Sequence, residues 1–311
     1  MNILVTGGAG FIGSHVTDLL IAEGHSPHVL DDLSSGSPKN VPSGVPLHVC
    51  DIRSDEAARL MSREAFDVLF HFAAQMDVRK SVADPRHDAD VNIGGFLNLL
   101  EAGRKAGLEK VIFASTGGAI YGEPLVTPQD EQHEQRPLSP YGITKLATEK
   151  YLGYYAQQYG IESVCLRYAN VYGPRQNSHG DAGVVAIFTE RLLGGQQPII
   201  NGSGDQTRDY VFVGDVARAN LLALSHSGSE VFNIGTGVET TVTELFDHLN
   251  VLTDAGANRV FGPGKPGEQQ RSVLSYDRAR AVLGWSPEVS LGEGLTRTVG
   301  WFRHRLETVS A

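Results

Sequence analysis

Short apolar runs recur along the first two-thirds of the chain, and between them the apolar residues fall at helical spacing. Ile3 to Val5, Pro27 to Leu30, Leu47 to Cys50, Val68 to Phe72 and Lys110 to Ala114 predict buried strands. Phe11 to Ile21, with Ile12, Val16, Leu19 and Leu20 on one face, predicts a helix. So do Asp55 to Arg63 and Asp88 to Ala106, the latter carrying Val91, Phe96, Leu99 and Leu100 and closed by Gly107. Continuous apolar strands that alternate with helices imply parallel strands with right-handed crossovers. The fold class expected is α/β, a Rossmann-type doubly wound parallel sheet with a smaller mixed C-terminal substrate domain.

A loop from Gly122 to Pro140 precedes a further helix from Tyr141 to about Gln158. From Gln176 the strict alternation loosens, which divides the chain into a first domain, 1–175, and a second, 176–311, with some later segments returning to the first. In the second part Val184 to Leu193 predicts a helix and Ile199 to Gly202 a short strand. Tyr210 to Val213 is an apolar run followed by a helix to Ala223 with Asp215 as its cap, and Ser275 to Leu283 and Gly292 to Arg305 predict closing helices.

Composition narrows the function classes. The 311 residues suffice for a large core, and a formal charge of −10 argues against general nucleic-acid or anionic-membrane binding. No apolar run approaches the roughly 18 residues of a membrane span, and Met1 leads straight into the first strand, so a cytoplasmic protein is expected. Cys50 and Cys165 sit in strand-like apolar runs and read as reduced thiols. His25 and His28 lack further ligands at metal spacing, so no metal site is expected.

The candidate chemistry gathers at strand ends. Gly7, Gly10 and Gly13 lie where the first strand turns into the first helix: Gly7 permits the turn, Gly10 a close approach to a pyrophosphate, Gly13 close helix packing. Asp31 and Asp32 end the second strand at the separation of about 20 residues expected of a ribose-binding acid. Carboxylates there repel a 2'-phosphate, which favours NAD over NADP. Asp51 and Ile52 end the third strand near an adenine, and Ala73 and Ala74 let the backbone after the fourth pass close to the cofactor. Ser115 and Thr116, followed by Gly117 and Gly118, end the fifth strand. Tyr141 and Lys145, four apart, share a helix face, where an ammonium makes a phenol a usable acid and base. Arg208, between a polar loop and an apolar strand, is a candidate diphosphate clamp.

These motifs together resemble the extended short-chain dehydrogenase/reductase family, over nearly the whole chain. Within it, His71-Phe72-Ala73-Ala74, Ser139-Pro140-Tyr141-Gly142, Leu166 to Arg175 and Arg208 to Val211 look most like the UDP-glucose 4-epimerases. The resemblance implies reversible 4-epimerisation of a UDP-hexose through a 4-keto intermediate, bound NAD, an NAD-binding Rossmann domain over 1–175, a nucleotide-sugar-binding substrate domain over 176–311, and a homodimer built on two long helices per subunit. It sets Phe11, Ile12, Phe72, Asn92 and Tyr168 beside the cofactor, and Asn170, Val184, Asn201, Lys265, Glu268, Arg271 and Ser272 around the UDP-sugar. Lys265 stands where arginine is usual. The 4,6-dehydratases carry an acidic pair where this chain has Gly117 and Gly118, and the uronate decarboxylases an acid in a similar motif, which argues against both. The usual catalytic serine also falls at Gly117, so the hydroxyl comes from Thr116, or else Ser115, unless Tyr141 works alone. A small residue at Ser272 leaves room for an N-acetylhexosamine. A net NAD-dependent reductase and a non-catalytic NAD sensor remain as alternatives.

Overall fold

The computed structural model describes residues 1–178, 183–264 and 269–310. Six strands come from the first part of the chain: β1 (Asn2–Thr6), β2 (Ser26–Asp31), β3 (Leu47–Val49), β4 (Val68–His71), β5 (Lys110–Thr116) and β6 (Glu162–Tyr168). They form one parallel sheet with a seventh, Glu230–Ile234, in the order Glu230–Ile234, β6, β5, β4, β1, β2, β3. The order reverses at β1, which lies between β2 and β4, so a crevice opens at the carboxyl ends of β1 and β4.

Alternation along β1 explains why both faces are covered. Ile3 and Val5 pack with Val16, Leu20, Phe70, Val216 and Leu224 on one side; Leu4 packs with Leu30, Leu60, Leu69, Phe96 and Leu100 on the other. Each such side chain, taken fully out of water, contributes about 1.5–3 kcal/mol. The covering helices include α1 (Phe11–Ala22), α2 (Asp55–Glu64), α3 (Val78–Ala83), α4 (Pro85–Ala89), α5 (Phe96–Ala106), α6 (Gly117–Tyr121) and α7 (Pro140–Tyr159). Ser139 caps α7 by accepting the Gly142 N–H at 3.2 Å, Pro140 presets its first turn, and Gly160 ends it in the left-handed region. A smaller core of Val185, Phe188, Leu245, Phe246, Leu295 and Val299 joins the helices Val184–Leu193, Val242–Thr253 and Leu291–Ser310.

Several expectations need correction. The helix expected from Asp88 begins at Pro85 and widens into a π-turn at Asp90–Gly95 before α5. At Gly95 a Cβ would lie 2.6 Å from the Ile52 side chain, so a side chain there would strike the segment after β3. Asp215 is not a cap: Phe212 holds that place, and the Asp215 carboxylate instead accepts the N–H groups of Glu288 and Val289 at 3.1 and 3.0 Å. Between Ser275 and Leu283 the helical turn covers Ala279–Leu283. Glu230–Ile234, from beyond residue 175, completes the main sheet. Among the described residues no helix is long and apolar enough to cross a membrane.

Candidate active site

The glycine turn holds a shape no other residues allow. Gly7 has φ +67°, and a Cβ on it would lie 2.7 Å from the Ala73 nitrogen; a Cβ on Gly13 would lie 2.4 Å from the Gly7 carbonyl oxygen. The turn closes with Gly10 N–H donating to that oxygen at 3.0 Å. Gly10 then starts α1 without a side-chain cap, and within the helix the hydrogen bonds begin with Ser14, whose N–H donates to Gly10. The N–H groups of Phe11, Ile12 and Gly13 are therefore left for a ligand, at the positive end of the helix dipole. That cradle fits a dinucleotide diphosphate.

Asp31 ends β2 almost fully buried, and burial pushes its carboxyl above the usual range. One oxygen accepts the Ala9 N–H at 3.0 Å and the other the Leu33 N–H at 2.9 Å, so it ties the glycine turn to the end of β2. Asp32 is exposed and holds Ser34. Asp51 is gripped by Arg53, which also reaches Asp90 at 2.8 Å; the guanidinium holds the Asp51 carboxyl low. Ile52 is buried in the α2–α5 core, whereas Phe72, Ala73 and Ala74 remain half-buried where β4 leaves the sheet.

Lys145 lies on α7 against the end of β5. Its Nζ donates to the Ala114 carbonyl at 2.9 Å and stands 4.7 Å from the Phe113 ring centroid and 5.8 Å from that of Tyr141. Burial lowers its pKa to about 8, against the opposing pull of Asp88 and Glu149. His71, at the end of β4, meets the Thr6 hydroxyl at 2.9 Å through Nδ1; burial lowers it to about 3, so it stays neutral. Asn92 sits in the π-turn, its amide bonded to Gln75, Asp88 and Thr144.

The strand-end hydroxyls diverge. Ser115 donates to Glu149 at 2.5 Å, and Glu149 takes two bonds from Arg167, at 2.6 and 2.9 Å. This is a buried structural network, extended through Tyr121 and Asn233. Thr116 is half-buried and accepts the Ala119 N–H at 3.3 Å, which caps α6 and leaves its own O–H to donate. Gly117 carries no side chain because a Cβ there would strike Leu274 at 2.5 Å.

The substrate-side candidates are spread more widely. Asn170 is exposed; Val184, Asn201 and Arg208 are half-buried, with Arg208 Nη1 donating to the Thr207 carbonyl at 2.7 Å. Arg271 is held by the Glu239 carboxylate at 2.6 and 2.9 Å. Ser272 is buried with an unpartnered hydroxyl, 3.7 Å from where a Cβ on Gly118 would stand. Lys265 and Glu268 lie outside the described residues. Tyr168 turns its hydroxyl inward to the Asn220 amide, at 2.9 Å, so a cofactor can meet only its ring. Sequence reasoning missed Asp209, whose fully buried carboxylate gathers the N–H groups of Thr236, Gly237 and Leu274 and so joins the strand ends to the Ser272 segment. The signal was its place beside Arg208. It also missed Asp88, read merely as a helix start.

A doubly wound sheet with a diphosphate cradle at the switch point and a Tyr-x-x-x-Lys pair beside it defines the extended short-chain dehydrogenase/reductase class. The model of the NAD dependent epimerase/dehydratase family matches residues 3–235, and the chain belongs to that family. It is 45% identical over 306 residues to a putative UDP-glucose 4-epimerase of Methanocaldococcus jannaschii, covering 98% of this chain and 100% of that one. Among solved structures, the UDP-glucose 4-epimerase of Thermotoga maritima with UDP-glucose superposes with a TM-score of 0.96 at 51% identity, over 98% of this chain and 100% of that one. The Thermus thermophilus UDP-glucose 4-epimerase in complex with NAD gives 0.92 at 47%, over 97% and 99%.

Proposed function

We propose that this protein is an NAD-dependent UDP-hexose 4-epimerase that interconverts UDP-glucose and UDP-galactose. The observation that carries the reading is a buried lysine ammonium beside Tyr141 at the end of β5, next to a diphosphate cradle with free N–H groups. Phe11, Ile12 and Gly13 hold the cofactor's diphosphate, Asp31 its ribose, and Lys145 and the Tyr168 ring border its far end. Bound NAD supplies reversible acceptance and return of hydride at C4 of the hexose. Tyr141 takes the C4 hydroxyl proton and later returns it, the Lys145 charge favouring the phenolate. Thr116 donates to the same sugar oxygen through the O–H that its capping bond leaves free. Arg208 neutralises the diphosphate about which the 4-keto sugar turns to present its other face.

Incubation with UDP-galactose without added NAD should give UDP-glucose with no net oxidation or reduction. Stoichiometric consumption of added dinucleotide, or a ketosugar product, would refute epimerisation. The family resemblance supports a second substrate class, because the buried Ser272, near Gly118, is a small side chain at the position where a bulky one would exclude an acetamido group at C2. UDP-N-acetylgalactosamine should therefore turn over, and Ser272→Tyr should suppress it more than UDP-galactose. We also propose a homodimer through α5 and α7, supported by Tyr151, Tyr154 and Tyr159 exposed on α7. Two free thiols are consistent with work in a reducing cytoplasm.

A further inference from the structure

Asp88, at the end of α4, has no solvent exposure. Its Oδ1 accepts from the amides of Gln75 at 2.9 Å and Asn92 at 3.2 Å, and its Oδ2 from the Thr144 hydroxyl at 2.9 Å. None of these donors is charged, and among the described residues no lysine, arginine or histidine forms an ion pair with it. A carboxylate buried without a cation is costly, so three neutral hydrogen bonds leave its charge in search of a partner.

One buried cation stands in the neighbourhood. Lys145 follows Thr144 on α7, and the other groups around it are neutral or already paired with a cation of their own. Glu149, one turn further along the same helix, is matched by the fork of Arg167. His71, on β4, is neutral. From β5 come the Ala114 carbonyl and the Phe113 ring, and Tyr141 lies a turn back on α7. Both α4 and the π-turn pack against α7, and the carboxylate that α4 brings there, bonded to Thr144 beside Lys145 in the chain, is that of Asp88.

We infer that Asp88 is the buried counter-charge that keeps Lys145 an ammonium, and so a positioning residue for proton transfer at Tyr141. This rests on the epimerase reading above. The long-range attraction between Asp88 and Lys145 opposes the burial of the lysine. Removing it lets Lys145 lose its proton at lower pH, and with it the charge that favours the Tyr141 phenolate.

Two experiments separate this role from a merely structural one. Asp88→Asn should move the alkaline limb of the kcat profile down by about one pH unit or more, with KM for the UDP-sugar little changed. A variant that is slower by the same factor at every pH overturns the inference. The second uses melting temperatures at pH 7 and needs no turnover. With Lys145 present, Asp88→Asn should lower Tm; in a Lys145→Met background, where the carboxylate is stranded, the same substitution should raise it. An equal drop in both backgrounds would overturn the pairing. Absence of epimerase activity in the unmodified protein would refute the proposed function, while the melting comparison still decided the Asp88–Lys145 pairing.

Discussion

Restoring a serine at position 117 is the perturbation whose cost the structure states most directly. The backbone there is an ordinary right-handed one, so space is the obstacle. A Cβ would stand 2.5 and 2.8 Å from the two methyls of Leu274 and 3.2 Å from its Cγ. Leu274 cannot easily step aside: it is fully buried against Ile120 and Tyr121, and its N–H donates to Asp209 at 3.2 Å. Two effects oppose each other. Replacing glycine in the first turn of α6 gains roughly 0.5 kcal/mol of helix propensity. Overpacking a closed core costs about 1–3 kcal/mol, and so prevails. Gly117→Ser should thus lower stability by about 1–2 kcal/mol, read as a shift in urea midpoint at unchanged slope. Leu274→Val shortens the side chain by one carbon and draws both methyls back, and the two substitutions together should destabilise less than the sum of each alone. A Gly117→Ser protein as stable as the parent, or strict additivity, would refute the claim that Leu274 occupies the serine's place.

Three further outcomes follow from the site. Tyr141→Phe should keep its fold and its dinucleotide but lose about two to four orders of magnitude in kcat; activity within a few-fold of the parent would move the proton transfer elsewhere. Thr116→Val should reduce kcat about ten-fold or more, whereas Ser115→Ala, whose hydroxyl is engaged by Glu149, should cost stability and little turnover; the reverse order in steady-state assays would exchange the two roles. Arg167→Met strands the buried Glu149 charge and should destabilise by about 3–5 kcal/mol in denaturant titration; a loss below about 1 kcal/mol would mean the pair is far less committed than its two short bonds suggest.

Strands β1, β2, β4 and β5 were legible because burial on both faces leaves an apolar run, and β3 as a short apolar run at the sheet edge, with small or acidic residues marking where each run stops; β6 was not read as a strand of its own. The strand Glu230–Ile234 was not legible: Glu230 and Asn233 interrupt its apolar pattern, and Asn233 is buried because Tyr121 receives it. Helical spacing revealed α5 but not the π-turn before it, since five-residue and four-residue turns carry nearly the same apolar periodicity over so short a stretch. Two consecutive glycines concealed α6, whose start is set by Thr116. Within the site, Tyr141, Lys145 and the glycine turn were readable as local motifs. Asp88, Asp209 and the inward turn of Ser115 were not, because each acts on partners distant in sequence: Thr144, Thr236 and Glu149.

The seventh strand also shapes how the protein is made. During synthesis β6 is complete at residue 168 and can pair with β5, but the strand that covers its other edge starts at residue 230. At about 5–20 residues per second, roughly 3–12 s pass in which the backbone edge of β6, beside Val164, Leu166 and Tyr168, stays open on the ribosome. An open apolar edge is a template for pairing with other nascent chains, so this interval is when a holding chaperone matters most. It also sets a limit on dissection: a gene fragment ending before residue 230 leaves the buried, apolar β6 as a permanent edge strand in place of Glu230–Ile234, and should yield insoluble aggregate instead of a minimal dinucleotide-binding unit.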